Sequence, residues 1–329
     1  MDRNNIFKSI QNAVSDIPLL MIGSGSSAAH GLPGMKELGD HLLARLNAKY
    51  TGTVCWDTFQ ENIKNGQDLE TALSDITLTN EMLTDVKCET WQLISSKDIA
   101  LLKRILFRQE DLPLAKVIKK FSQAHPRKLD IITTNYDRVV EYACDLAGVP
   151  VATGFSGSYL KQFSEGAFQA QNIVNLMKVH GSLDVFRDSL NAVVSVPLQS
   201  ELPVGLTPEI ITPGRSKYEA ILQGTPRQVL SVADSKISQA RGFLCIGYGF
   251  NDTQVQENIL TQIRRGVPIV VLTKKVFDHA AHLLANNAKQ YISIQEGCKP
   301  NTTEICINKV VETIDGTFWT IDGFMSIID

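Results

Sequence analysis

Four short apolar runs in this chain each end in a loop of small and polar residues. Ile17-Pro-Leu-Leu-Met-Ile22 meets Gly23-Ser-Gly-Ser-Ser27, with Gly31-Leu-Pro33 just beyond, and Leu129-Asp-Ile-Ile-Thr133 leads into Thr134-Asn-Tyr-Asp137. Ile173 to Val179 ends at His180-Gly-Ser182, and Arg241-Gly-Phe-Leu-Cys-Ile246 ends at Gly247-Tyr-Gly-Phe-Asn-Asp252. Runs of this length, apolar at almost every position, read as strands buried on both faces. Helical patterns lie between them: Asn5 to Val14, Met35 to Ala48, Arg138 to Ala147 with Gly148 as its stop, and a stretch running to Arg265. Gly266-Val-Pro-Ile-Val-Val-Leu272 is a further strand candidate. Strands that alternate with helices predict a Rossmann-like α/β fold, a parallel sheet covered on both faces, whose ligands gather at the carboxyl ends of the strands. All four loops fall at such ends.

The rest of the chain is less regular. From Trp56 to Gln123 the apolar spacing is helical, which predicts a helical module over residues 36–128 inserted into a single domain of residues 1–329. Residues 278–329 are read as a C-terminal appendage with short strands, hairpin-like around Asp315-Gly316 and Asp322-Gly323. Of the 329 residues 43% are hydrophobic, ample for a globular core. Its 32 basic and 35 acidic residues are interspersed, so neither nucleic acid nor a membrane surface is an expected partner. No apolar run approaches the roughly 20 residues that cross a bilayer, and the start resembles no export signal, so a cytoplasmic protein is expected. The cysteines at 55, 88, 144, 245, 298 and 306 form no pair at zinc-ligand spacing, so no metal and no zinc ribbon are expected. Cys144 and Cys245 sit in apolar contexts that suit buried free thiols.

The loops carry the chemistry. Gly23 and Gly25 can adopt positive φ and admit a ligand close to the backbone, while Ser24, Ser26 and Ser27 add hydroxyls; a pyrophosphate fits there, and so does an ordinary turn. Asn135 offers a donor and an acceptor and Asp137 an acceptor, or either caps the following helix. His180 has a side chain whose ordinary pKa suits proton transfer near neutrality. Gly247 and Gly249 again allow close approach, and Asn251 and Asp252 could bind ribose hydroxyls or cap the next helix.

Taken in this order, the four segments resemble the nicotinamide-dinucleotide site of the sirtuin superfamily. Gly23 to Pro33 is similar to the loop Gly-x-Gly-x-Ser followed by Gly-Ile-Pro, Thr133 to Asp137 to Thr-Gln-Asn-Ile-Asp, His180 to Ser182 to His-Gly-Ser, and Gly247 to Asp252 to the Gly-Thr-Ser loop. The resemblance implies a sirtuin-type sheet with NAD as substrate. Asn135 would orient the nicotinamide ribose or a water, Asp137 would hold the carboxamide, and His180 would act as base. Gly23 to Ser27, Pro33, Thr134, Gly247, Tyr248, Gly249, Asn251, Asp252 and Thr273 would bind the rest. Two departures matter: Gly34-Met-Lys36 stands where sirtuins have Asp-Phe-Arg, and no cysteine pair follows His180. They favour an NAD glycohydrolase, as in bacterial antiphage effectors that deplete NAD, held in check by homo-oligomerisation or by a helicase-like ring ATPase encoded nearby. An NAD-dependent deacylase or ADP-ribosyltransferase is the alternative, and a non-catalytic NAD or ADP-ribose sensor the second. The aromatic segment Phe318-Trp-Thr-Ile321 fits either a self-association surface or packing onto the core.

Overall fold

The computed structural model describes residues 2–169, 173–214 and 224–329. Its strands begin with β1 (Leu19–Ile22), β2 (Leu129–Thr133), β3 (Val151–Ala152), β4 (Phe155–Ser156), β5 (Gln162–Phe163) and β6 (Val174–Lys178). They continue with β7 (Gly181–Arg187), β8 (Val193–Ser195), β9 (Thr207–Ile210), β10 (Phe243–Ile246) and β11 (Ile269–Leu272). The last three are β12 (Tyr291–Glu296), β13 (Thr302–Ile307) and β14 (Val310–Asp315).

The main sheet has the order β14-β13-β12-β11-β10-β1-β2-β6-β3, and every pairing from β3 to β12 is parallel. Because side chains alternate across a strand, each face has its own apolar set. Leu20, Ile22, Ile131, Leu176, Leu244 and Ile246 point into one core layer; Leu19, Met21, Ile132, Met177, Phe243 and Cys245 point into the other. Helices Arg3–Ala13, Leu114–Gln123 and Val139–Ala147 supply buried residues to the first layer, and Gly224–Gln239 and Thr253–Arg265 to the second. This α/β architecture, a large parallel sheet with helices on both faces, is the one the apolar runs predict. Cys144 and Cys245 are buried free thiols whose pKa burial raises.

The C-terminal strands depart from the expected turns. β12, β13 and β14 extend the main sheet, and the reversal between β13 and β14 falls at Asn308-Lys309 rather than at Asp315-Gly316. Asn308 and Lys309 both have positive φ, the geometry a two-residue hairpin turn requires. Asp322-Gly323 lies inside the helix Ile321–Ile328, which Thr320 caps by accepting the Gly323 N–H at 3.0 Å. Phe318 and Trp319 are partly buried against the core, with Phe318 edge-on to Phe7 at 5.1 Å between centroids.

Between β1 and β2 the chain forms helices Met35–Tyr50, Val54–Lys64, Leu69–Ser74, Asn80–Leu106 and Leu114–Gln123. Trp56, Phe59, Leu38, Leu42 and Leu73 build a separate apolar cluster there. The long helix Asn80–Leu106 reaches beyond that cluster and packs on a separate three-stranded sheet of order β8-β7-β9. Its Trp91 donates from Nε1 to the Leu183 carbonyl at 2.8 Å, and its fully buried Asp98 holds Arg138.

Candidate functional site

The register places the four loops at one level. Ile22 pairs with Ile246 on one side and Thr133 on the other, and Thr133 pairs with Lys178, so the chain leaves β10, β1, β2 and β6 at the same edge. Chain order reverses at β1, with β2 and β10 as its neighbours, and a crevice at such a switch point is where open α/β sheets bind ligands. A cavity of about 340 Å³ opens there. Of the residues singled out in the sequence, Gly23, Ser24, Ser27, Pro33, Thr134, Asn135, Asp137, His180, Tyr248, Gly249, Asn251 and Asp252 line it. Gly25, Ser26, Gly247 and Thr273 do not. Thr273 instead accepts its place in the sheet edge, donating its N–H to Ile294 at 3.1 Å.

The glycines serve a different purpose from the expected one. Gly23 has φ −113° and Gly25 lies in the short helix Ser24–Ala28, so neither uses positive φ. What they supply is thinness. A Cβ on Gly23 would lie 2.4 Å from the Gly247 carbonyl oxygen, and one on Gly247 only 2.3 Å from the Ser26 nitrogen. The Gly25 N–H donates to Gly247 at 3.0 Å and the Ser26 hydroxyl to Gly23 at 2.7 Å. The two loops are therefore locked to each other, and Ser24 and Gly249 are left on the cavity side.

Asn135 and Asp137 meet at Ser27. The Asn135 amide donates to the Ser27 hydroxyl at 3.0 Å and to the Gly23 carbonyl at 3.1 Å, and the Ser27 hydroxyl in turn bonds the Asp137 carboxylate. Asp137 also accepts the Val139 N–H at 3.1 Å, which makes it a helix-start acceptor as well as a wall residue. Burial raises its carboxyl above the ordinary value, opposed by the lowering influence of Lys178, the Val139 N–H and the Ser27 hydroxyl. Lys178, itself buried, donates to the Asp137 backbone carbonyl and pairs with Glu141 at 2.8 Å.

His180 is aimed by its neighbours. Gly181 has φ +87°, and a Cβ there would lie 2.1 Å from the Glu209 carbonyl oxygen, so only glycine permits the turn from β6 into β7. The His180 carbonyl accepts the Ile211 N–H at 2.9 Å. Its Nε2 lies 2.5 Å from Asp252 Oδ2, while Asp252 Oδ1 accepts the Gln254 and Val255 N–H groups at 3.1 and 3.2 Å. Asp252 therefore caps the helix Thr253–Arg265, lies against His180 and also lines the cavity. Tyr248 packs edge-on to Phe250 at 5.0 Å, and burial raises its hydroxyl well above the ordinary value, with the Asp252 charge adding to it.

Several wall residues escaped sequence reasoning. Asp68 and Glu70, at the start of helix Leu69–Ser74, bring carboxylates from the inserted helices, and Leu32, Met35, Leu38, Ile94, Ile211 and Pro213 make an apolar side. Tyr136 sits between Asn135 and Asp137 and donates to the Ile211 carbonyl at 2.5 Å. Its place inside the motif was the one signal available for it. Among the described residues no group of three or more His, Cys, Asp or Glu could hold a metal ion, and no helix is long and apolar enough to cross a membrane.

Residues 130–269, which contain Asn135, Asp137, His180 and the Gly247 to Asp252 loop, match the SIR2-like domain. Among solved structures, the chain is similar to a Sir2 homologue mutant in complex with 2′-O-acetyl ADP ribose, at 18% identity and TM-score 0.48 over 90% of this chain and 91% of that one. It is also similar to a Sir2 homologue–NAD complex, at 17% identity and TM-score 0.44 over 89% and 88% of the two chains. No curated protein matched the sequence.

Proposed function

We propose that the protein is an NAD-dependent enzyme, and more narrowly an NAD glycohydrolase that releases nicotinamide and ADP-ribose. The observation that carries this reading is the convergence of Asn135, Asp137 and His180 on one cavity wall, within the segment that matches a SIR2-like domain. The cavity lies in the size range of small-molecule sites and combines an apolar side with a few convergent polar groups.

Cleavage of an N-glycosidic bond develops positive charge on the ribose, so the site must position the sugar, accept a proton and stabilise that charge without a metal. Asn135 is held rigid by Ser27 and Gly23, which leaves its amide oxygen to orient a hydroxyl or a water. Asp137 supplies an acceptor for the departing carboxamide and a negative charge beside the reacting carbon. His180 accepts a proton as water attacks the reacting carbon and nicotinamide leaves. Ser24, Gly249 and Asn251, which also line the cavity, would hold the phosphates and the second ribose. In the setting implied by the resemblance, the reaction depletes NAD in the cytoplasm during antiphage defence and is governed by self-association or by a ring ATPase partner.

Chromatography of NAD after incubation with the protein, over a range of concentrations, tests this reading. Nicotinamide and ADP-ribose formed without peptide, and absent with Asn135→Ala and His180→Ala, support it. A second reading, NAD-dependent deacylation, draws on the apolar side made by Leu38, Ile94 and Ile211, which suits an acyl chain. Products that appear only with an acetyl-lysine peptide would replace the first reading by the second.

A further inference from the structure

The contact between His180 and Asp252 has a chemical consequence. Both side chains are more than nine-tenths buried, and they come from different strand ends, β6 and β10. One oxygen of Asp252 suffices to cap the helix Thr253–Arg265, and Oδ1 does that. The second oxygen lies 2.5 Å from His180 Nε2, and both atoms are buried. The pair is a close ionic contact in which neither atom has a well-aligned hydrogen bond; since an ionised carboxylate has no hydrogen to give, a hydrogen placed between them would belong to the ring nitrogen.

We propose that Asp252 is the positioning residue for His180: it keeps the ring hydrogen on Nε2, so that Nδ1 carries the lone pair that takes the substrate proton. A hydroxyl proton passes to Nδ1, the ring becomes an imidazolium with a hydrogen on each nitrogen, and Asp252 faces the new positive charge. The proton returns to solvent when the products leave. The other ionisable groups on the wall are Asp137 from the β2 loop, Asp68 and Glu70 from the helical segment, and the hydroxyls of Tyr136 and Tyr248. Burial raises both tyrosines, with Asp252 adding to each, so they remain protonated and do not compete as bases. The inference rests on the reading of His180 as the base, but the state of the ring can be measured without turnover.

Asp252→Asn is the discriminating variant. Its amide oxygen can still accept the Gln254 and Val255 N–H groups, whereas its amide N–H faces Nε2 and demands an acceptor there, which moves the ring hydrogen to Nδ1. Asp252→Ser also preserves a cap but leaves nothing opposite His180. Long-range proton–nitrogen NMR of the histidine-labelled full chain, assigned with His180→Ala, reads the tautomer. The expected result is Nε2–H in the wild type, Nδ1–H in Asp252→Asn and a mixture in Asp252→Ser. With NAD as substrate, kcat of Asp252→Asn should fall by about 100- to 10,000-fold while KM changes little. An Nδ1–H ring in the wild type, or an unchanged tautomer and rate in Asp252→Asn, overturns the inference. If NAD is never turned over but the tautomers switch as described, the proposed reaction fails and the positioning role of Asp252 stands.

Discussion

Asp137 and Arg138 are adjacent in sequence and both are buried, yet their surroundings differ in kind. Arg138 is surrounded by protein charge: it pairs with Asp98 and with Asp184 at 2.8 Å, and Asp98 also accepts the Arg138 N–H at 2.7 Å and the Tyr142 hydroxyl at 2.6 Å. Among the described residues Asp137 has a backbone N–H and a hydroxyl on its carboxylate, while nearby Lys178 gives its hydrogen bonds to the Asp137 carbonyl and Glu141. The first charge is balanced inside the protein and secures the helical segment to the start of helix Val139–Ala147 and to β7. The second lines the wall of the cavity. Burial alone does not separate structural from functional ionic groups; the identity of the partners does.

This contrast can be broken by mutation. On the cavity side, His180→Ala or Asn135→Ala should lower NAD cleavage by about 100- to 10,000-fold, with the thermal midpoint almost unmoved; a large loss of midpoint would mean these residues hold the fold instead. On the structural side, Asp98→Ala leaves Arg138 buried without its main partner, which costs about 3–5 kcal/mol in chemical denaturation. A cost near zero would show that Asp184 alone is sufficient. Gly181→Ala should cost about 1–3 kcal/mol from the left-handed backbone, and still more activity, because the Cβ would push β7 away from Glu209 and swing His180.

Asp137→Asn gives the smallest and most telling effect. Its carboxyl is raised above the ordinary 3.8 in the folded state, so the folded protein loses stability as pH rises from that value through the raised one. The asparagine variant should therefore be slightly more stable than wild type at neutral pH and equal to it in acid, while catalysis drops. Equal stability at all pH values would place Asp137 among the balanced charges.

The strands and the converging loops were legible because a parallel sheet with matched register sends every strand end to one edge, so motif order along the chain becomes neighbourhood in space. The thinness demanded of Gly23 and Gly247 was not, since it depends on contact between loops more than 200 residues apart. Neither was the arrival of Asp68 and Glu70, set by how the inserted helices fold back. The C-terminal turn was hidden by chemistry: Asn-Lys fills a reversal that usually advertises itself as Asn-Gly. The helix Ile321–Ile328 could have been found, for Thr320 followed by Phe324, Met325 and Ile327 carries a cap and a helical apolar spacing.

The 3 tryptophans of this chain are distributed as if for optical work. Trp56 lies in the apolar cluster of the inserted helices, Trp91 is hydrogen-bonded to Leu183 three residues past His180, and Trp319 packs where the two ends of the chain meet. Variants retaining one indole at a time would give each region its own emission signal. Heating them would show whether the inserted helices melt with the sheet or ahead of it, and a spectral change at Trp91 on adding nucleotide would register events at the cavity without any label.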